Sequence, residues 1–162
     1  METTSSILPT RVMALDLGNK RIGVALTDPL GYTVQPLMTL YCKSPRADLK
    51  SIARLIRKHG VTEAVVGKPL HMSGETSPRA QKAEAFAVQL RDETGIPVHL
   101  WDERLTSWDA HQRLDQTAGP RRTAADRQQR KQVIDQVAAV LILESFLEAR
   151  NLHPEDDEPP AS

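Results

Sequence analysis

Acidic residues interrupt apolar segments at three places in this chain, and they are the first candidates for chemistry. Asp16 stands near the end of the first apolar run, Asp102 and Glu103 follow a later one, and Asp135 breaks the most apolar segment. Burying a carboxylate without a partner is costly, so such acids normally meet a cation, a metal or hydrogen-bond donors. The question is whether these acids converge.

Carboxylates that converge on one site repel one another unless a cation lies between them. Magnesium is the natural candidate, because it takes oxygen ligands and needs only one or two carboxylates per ion. Two such ions about 3.5 to 4 Å apart would flank a phosphodiester and stabilise the attacking and leaving oxygens. The pattern therefore favours metal-dependent hydrolysis of a phosphodiester.

Each acid taken alone also has an ordinary structural interpretation. Asp16 could belong to a turn, and Glu103 could form a surface ion pair with Arg104 or Arg21. Asp135 is harder to explain in this way, because an acid in the middle of an apolar helix has no capping role. Only the combination of the acids supports a catalytic site.

The elements that must position these acids follow from hydrophobic periodicity and from turn and cap residues. Strands are predicted at 12–17, 22–27, about 35–41, 64–67 and 97–101. Helices are predicted from Ser44-Pro45 to Gly60, from Ser77-Pro78 to Gly95, from Thr106 to Leu114 and from about Ala125 to Ala149. The order βββαβαβαα predicts an α/β fold with a mixed five-stranded sheet, three strands antiparallel and two parallel, flanked by helices.

In such sheets ligands gather beyond the carboxyl ends of the strands. Asp16 ends the first strand, and Asp102 or Glu103 reaches the same edge if the first and fifth strands are neighbours or nearly so. Asp135 shares a helical face with apolar residues three, four and seven positions later, so its carboxylate should point toward the sheet.

A chain of 162 residues is expected to form one domain, here 11–150, between a disordered arm at 1–10 and an acidic disordered tail at 151–162. Cys42 is the only cysteine, so no intrachain disulfide forms. We expect a cytoplasmic protein without a membrane partner, since no signal peptide and no stretch of roughly 18 to 20 apolar residues is seen.

The formal net charge of zero conceals an uneven distribution. Glu2 and the four acids of 155–158 offset an excess of five positive charges between them. Basic residues bunch at Arg121, Arg122, Arg127, Arg130 and Lys131. Such a cluster could contact the phosphates of a nucleic acid, although charge runs are usually solvated surfaces.

Four ordered motifs resemble the YqgF/RuvX family and span about Arg11 to Leu147. They are Asp16-Leu17-Gly18-Asn19-Lys20-Arg21-Ile22-Gly23-Val24-Ala25 with Thr27-Asp28-Pro29, Gly67-Lys68-Pro69-Leu70-His71-Met72-Ser73-Gly74 with Pro78-Arg79-Ala80, Asp102-Glu103-Arg104-Leu105-Thr106 and Ile134-Asp135-Gln136-Val137-Ala138-Ala139. The resemblance implies an RNase H-like fold. It also implies a nuclease acting near the 5′ end of pre-16S rRNA, while some members are assigned as Holliday junction resolvases.

The resemblance further implies that Asp16, Glu103 and Asp135 are the catalytic acids and hold Mg²⁺, with Mn²⁺ as an alternative. Contacts with the nucleic acid are expected from Lys20, Arg21, Lys68, His71, Arg104, Arg121 and Arg122. Precursor rRNA is the favoured substrate, with the ribosome as a further partner.

Two other functions stay open at this stage. A resolvase of branched DNA needs two active sites and hence a homodimer, whereas the rRNA nuclease could be a monomer. A nucleic-acid-binding module that keeps the acids but performs no turnover is the third hypothesis.

Overall fold

The computed structural model describes residues 10–69, 77–103 and 123–152. Its strands are β1 (Val12–Leu17), β2 (Arg21–Thr27), β3 (Val34–Tyr41), β4 (Glu63–Lys68) and β5 (Val98–Asp102). Its helices are α1 (Pro45–His59), α2 (Pro78–Thr94) and α3 (Ala124–Leu152). All eight elements were predicted, with bounds that differ by at most three residues. The predicted helix from Thr106 to Leu114, the arm up to residue 9 and the tail from residue 153 lie outside the described residues.

The five strands form one mixed sheet in the order β3-β2-β1-β4-β5. β2 pairs antiparallel with both β1 and β3, while β1, β4 and β5 run parallel. The predicted fold class is therefore confirmed. Because β1, β4 and β5 run in the same direction, their carboxyl ends lie at one edge, hereafter the carboxyl edge.

Helices cover both faces of the sheet. One face packs on α1 and α2, with Met13, Leu15 and Ile52 fully buried between them. The other face packs on α3 through residues that include Ala14 and Leu143. Within the described part of the chain, no helix is both long enough and apolar enough to span a membrane.

The two shorter helices begin and end where their cap residues predict. The Ser44 and Ser77 hydroxyls accept hydrogen bonds from backbone N–H groups three residues later, at 3.2 and 3.1 Å. A proline follows each serine and occupies the first helical turn, where its missing N–H costs nothing. These caps fix where both helices start beside the carboxyl edge.

The long helix α3 lies directly on the backbone of β2. A Cβ built on Gly23 would stand only 2.0 Å from the carbonyl oxygen of Asp135, a distance that no side chain tolerates. Close by, the Thr39 hydroxyl donates to the carbonyl oxygen of Gln132 at 2.9 Å. The absence of a side chain at Gly23 therefore sets how closely this part of α3 approaches the sheet.

A charged cluster fixes the other end of α3. The Arg150 guanidinium donates to both carboxylate oxygens of Glu63, at 2.9 and 2.5 Å, and stacks 4.5 Å from the Phe146 ring centroid. His99 Nε2 lies 2.5 Å from the same carboxylate. Burial alone would raise the pKa of Glu63, but hydrogen bonds from His99 and Arg150 lower it to about 2.

This cluster predicts a pH-dependent contribution to stability. Because the folded-state pKa of Glu63 lies below its ordinary value of 4.5, its stabilisation is complete above that value and is lost as the pH falls toward 2. Glu63→Gln should lower the free energy of unfolding at pH 7 by about 1 to 3 kcal/mol, and by less at pH 3. Urea unfolding at both pH values checks this. A difference that does not change with pH would contradict it.

Gly23→Ala should destabilise the protein by roughly 2 to 4 kcal/mol, because its methyl group forces α3 away from β2. Gly60→Ala is the control, since nothing lies within 4 Å of a Cβ at that position. Its cost is limited to about 1 to 2 kcal/mol for a left-handed backbone. Thermal unfolding of both variants, compared with wild type, tests the steric explanation. Equal losses would show that contact with α3 is not the cause.

Candidate active site

Asp16 lies near the end of β1, on the face that α3 covers, and both neighbouring strands carry glycine beside it. Its register partner on β2 is Gly23. On β4, Gly67 follows Val66, which pairs with Leu15. A carboxylate between two glycines has open space on either side, and other groups can approach it there.

Glu103 occupies the space above Gly67. A Cβ on Gly67 would stand 2.7 Å from Glu103 Oε1, so the Glu103 carboxyl group lies across β4 toward Asp16. The neighbouring acid Asp102 pairs in register with Lys68, and strand alternation points it to the opposite face. Although β4 separates β5 from β1, the structure therefore brings Glu103, and not Asp102, to Asp16.

Asp16 and Glu103 are close enough for their carboxyl groups to shift each other's pKa. Burial raises the pKa of Asp16 to about 7, the negative charges of Glu103 and Asp135 add to the rise, and Arg79 opposes it. Burial also raises the pKa of Glu103. The hydrogen bond between the two carboxyl groups raises the pKa of Asp16 and lowers that of Glu103.

The third predicted acid, Asp135, stands on the turn of α3 that rests on Gly23. Its Oδ2 accepts a hydrogen bond from Arg21 Nε at 2.6 Å, and 25% of the Arg21 side chain and 20% of the Asp135 side chain are exposed. Its charge nevertheless contributes to the raised pKa of Asp16. The structure thus gathers all three acids, but it pairs Asp135 with Arg21, which was predicted as a substrate contact.

Arg79 is a site residue for which no role was predicted from the sequence. It lies in the first turn of α2, and its Nη2 donates to the carbonyl oxygen of Leu17 at 3.2 Å. Its positive charge lowers the pKa of both Asp16 and Glu103. The available signal was its position directly after the Ser77-Pro78 cap, which places an arginine at the carboxyl edge.

The remaining predicted contacts differ in placement. Lys20 is exposed in the turn between β1 and β2. Lys68 forms an ion pair with Glu84 of α2, on the face opposite Asp16. The other predicted contacts, His71, Arg104, Arg121 and Arg122, lie outside the described residues and stay predictions.

The donor set at Asp16 suits a hard cation. Among residues 10–69, 77–103 and 123–152, no three or more His, Cys, Asp or Glu side chains are arranged as ligands of one ion. Two adjacent carboxyl groups are nevertheless enough for Mg²⁺, whose other positions are filled by water or phosphate oxygens. Two ionised carboxylates repel each other at this distance, so a positive charge is favoured between them.

Comparison with known proteins gives the relationship directly. Residues 10–149 match the profile of the RuvX family, described as Holliday junction resolvase. A protein of Pelotomaculum thermopropionicum is 46% identical over 141 residues, spanning 86% of this chain and 88% of its own. A protein of Moorella thermoacetica is 47% identical over 138 residues, with 85% and 94% covered. Both bear the name "Putative pre-16S rRNA nuclease".

Solved structures of resolvases share the fold at low sequence identity. Thermus thermophilus RuvC with a Holliday junction substrate superposes with a TM-score of 0.52 and 12% identity, covering 86% of this chain and 96% of RuvC. The fowlpox virus Holliday junction resolvase gives 0.53 and 13%, with 86% and 99% covered. These neighbours confirm the predicted RNase H-like fold. Because the family profile matches residues 10–149, the chain belongs to the RuvX family.

Proposed function

We propose that this chain is a metal-dependent nuclease that hydrolyses phosphodiester bonds of structured RNA and processes the 5′ end of pre-16S rRNA. The observation that carries the proposal is the convergence of the three acids at the carboxyl edge: Glu103 lies over Gly67 on β4 toward Asp16, and Asp135 stands on the turn of α3 that rests on Gly23. The name of the relatives supports the choice of substrate.

In this proposal Asp16, Glu103 and Asp135 hold Mg²⁺, or Mn²⁺ as the alternative. When bound, the cation polarises the phosphate and lowers the pKa of a water that attacks it. Asp16 must be ionised to hold the cation, and the Arg79 charge favours ionisation because it lowers the pKa of Asp16. Asp135 must leave Arg21, whose guanidinium is then free to contact a substrate phosphate.

Specificity is expected to come from the surroundings of the acids and from partners. Lys20 and Arg21 flank the turn after β1 and supply positive charge beside Asp16. Phosphate contacts of this kind position a nucleic acid without reading its sequence. We therefore propose that the precursor ribosomal particle presents the cleavage site, which would place the reaction in the cytoplasm.

A second candidate function is the resolution of Holliday junctions, which the description of the family favours. Symmetric cleavage requires a homodimer whose interface uses the same surface of both copies. The exposed side of α2 is a candidate for that surface, since Val88 leaves 51% of its surface accessible there. For cleavage of rRNA a monomer suffices.

Asp16→Asn should reduce cleavage of precursor 16S rRNA at least about 100-fold, because the amide cannot replace a ligating carboxylate. The assay uses purified protein with Mg²⁺, and sequencing of the 5′ ends locates the cut. Asp92→Asn is the matched control, since Asp92 is an exposed acid on α2.

A four-way DNA junction, assayed in parallel, separates the candidate functions. Cleavage of RNA alone supports the proposal, and cleavage of the junction alone by a dimer supports the resolvase. Equal RNA cleavage by Asp16→Asn and wild type would remove Asp16 from the site. Binding of both nucleic acids without cleavage of either would support the non-catalytic module.

The same substitution should stabilise the metal-free protein. Because the pKa of Asp16 is raised from 3.8 to about 7 in the folded state, ionisation of Asp16 destabilises the fold as the pH rises through that range. In EDTA at pH 8, Asp16→Asn should raise the free energy of unfolding by roughly 1 to 3 kcal/mol, with little effect at pH 4. Urea unfolding measures both values. A variant less stable than wild type at pH 8 would contradict the raised pKa of Asp16.

A further inference from the structure

A second concave site lies on the opposite face of the sheet from the acids. It is a cavity of about 370 Å³ between β1, β2, α1 and α2, close to the carboxyl edge, hereafter the α1–α2 cavity. This volume is in the range of pockets that bind small molecules, which is roughly 300 to 1,000 Å³. It suits one nucleotide and is far too small for a duplex.

The lining of the α1–α2 cavity combines three kinds of group. Leu17, Ile22 and Phe86 provide an apolar floor. The amides of Asn19 and Gln89 can both donate and accept hydrogen bonds. Apolar surface with a few polar groups that fix orientation is the usual composition of a ligand site.

Charge in the α1–α2 cavity is mixed, which limits the type of ligand. Lys43 and Lys82 contribute positive charge. The buried carboxylate of Asp48 accepts a hydrogen bond from the Lys43 backbone N–H at 2.9 Å. Burial is the largest cause of the raised pKa of the Cys42 thiol, and the negative charge of Asp48 raises it further. A simple anion in the cavity would be repelled by the Asp48 carboxylate. A nucleotide has both a phosphate for the lysines and a base with N–H donors.

The α1–α2 cavity is connected to the acids through one short turn. Leu17 directly follows Asp16, and strand alternation points the two side chains to opposite faces. Lys82 Nζ donates to the carbonyl oxygen of Gly18 at 3.2 Å, as Arg79 does to that of Leu17. An RNA strand that is bound at Asp16 and continues across the turn between β1 and β2 therefore reaches the α1–α2 cavity.

We propose that the α1–α2 cavity binds one unstacked nucleotide of the substrate strand, next to the nucleotides held at the acids. The base packs on Phe86 and the apolar floor, and Asn19 and Gln89 bond its edge. Lys43 and Lys82 contact the adjoining phosphate. This inference rests on the proposed nuclease function. It implies that the substrate has an unpaired nucleotide beside the cleavage site.

Cys42 allows the α1–α2 cavity to be tested directly, because it lines the cavity and is the only cysteine of the chain. The probe is an eight-nucleotide single-stranded RNA, added to the Asp16→Asn protein at ten times its Kd, with Kd measured by fluorescence anisotropy. Occupancy should slow alkylation of Cys42 by iodoacetamide about tenfold. A blunt RNA duplex at the same multiple of its own Kd should leave the rate unchanged.

Ala85→Trp, added to the same protein, is designed to fill the α1–α2 cavity from an exposed position on α2. It should abolish the slowing by RNA, measured as the ratio of rates with and without RNA. Ala125→Trp, at an exposed alanine of α3, should keep it. Lys82→Glu gives a second variant that adds no bulk, and it should weaken RNA binding.

The outcomes separate this inference from the proposed function. An alkylation rate of Cys42 that bound RNA does not change would overturn the nucleotide site, even if the protein cleaves RNA. The same holds if RNA slows alkylation equally in the proteins with and without Ala85→Trp. Slowing by the single strand that Ala85→Trp abolishes would support the site even if no cleavage were found. A DNA strand of the same sequence, used in a parallel experiment, shows whether the site requires the ribose hydroxyl.

Discussion

The close approach of α3 to β2 at Gly23 is the constraint on which the site depends. A short side chain such as aspartate reaches from a helix toward a strand more easily when the two backbones approach closely, and glycine permits such an approach. Gly23 provides that approach for Asp135, and Gly67 leaves room for Glu103 on the other side of Asp16. Two missing side chains thus allow acids from β1, α3 and the end of β5 to meet.

The concentration of acids has an electrostatic cost that the surrounding residues reduce. Arg79 acts on Asp16 and Glu103 without covering them, since its guanidinium is bonded to the backbone of β1. Arg21 instead contacts Asp135 directly. The two arginines thus differ in role. Arg79 lowers the pKa of two acids from a position fixed by the backbone, whereas Arg21 forms an ion pair with the acid proposed as the third ligand.

Periodicity and cap residues were sufficient to predict the sheet, the two capped helices and α3, because these depend on local patterns. Asp16 and Asp135 were found because each interrupts an apolar segment. The choice between Asp102 and Glu103 required the family resemblance, since it depends on which face of β5 meets α3. The contact of Arg79 with β1 and the Arg21–Asp135 ion pair could not be predicted, because each joins segments far apart in sequence and depends on side-chain direction.

The cluster of Glu63, His99 and Arg150 also influences the orientation of the long helix α3. Asp135 and Arg150 are fifteen residues apart on one continuous helix, a separation of about 22 Å. Asp135 rests on Gly23 of β2, and Arg150 is paired with Glu63 of β4, so the helix contacts a different strand at each of these positions. A tilt of about 5° about the Arg150 end would move Asp135 by about 2 Å over this length. A salt bridge about 22 Å away therefore influences the alignment of the Asp135 carboxylate, which we propose as a metal ligand.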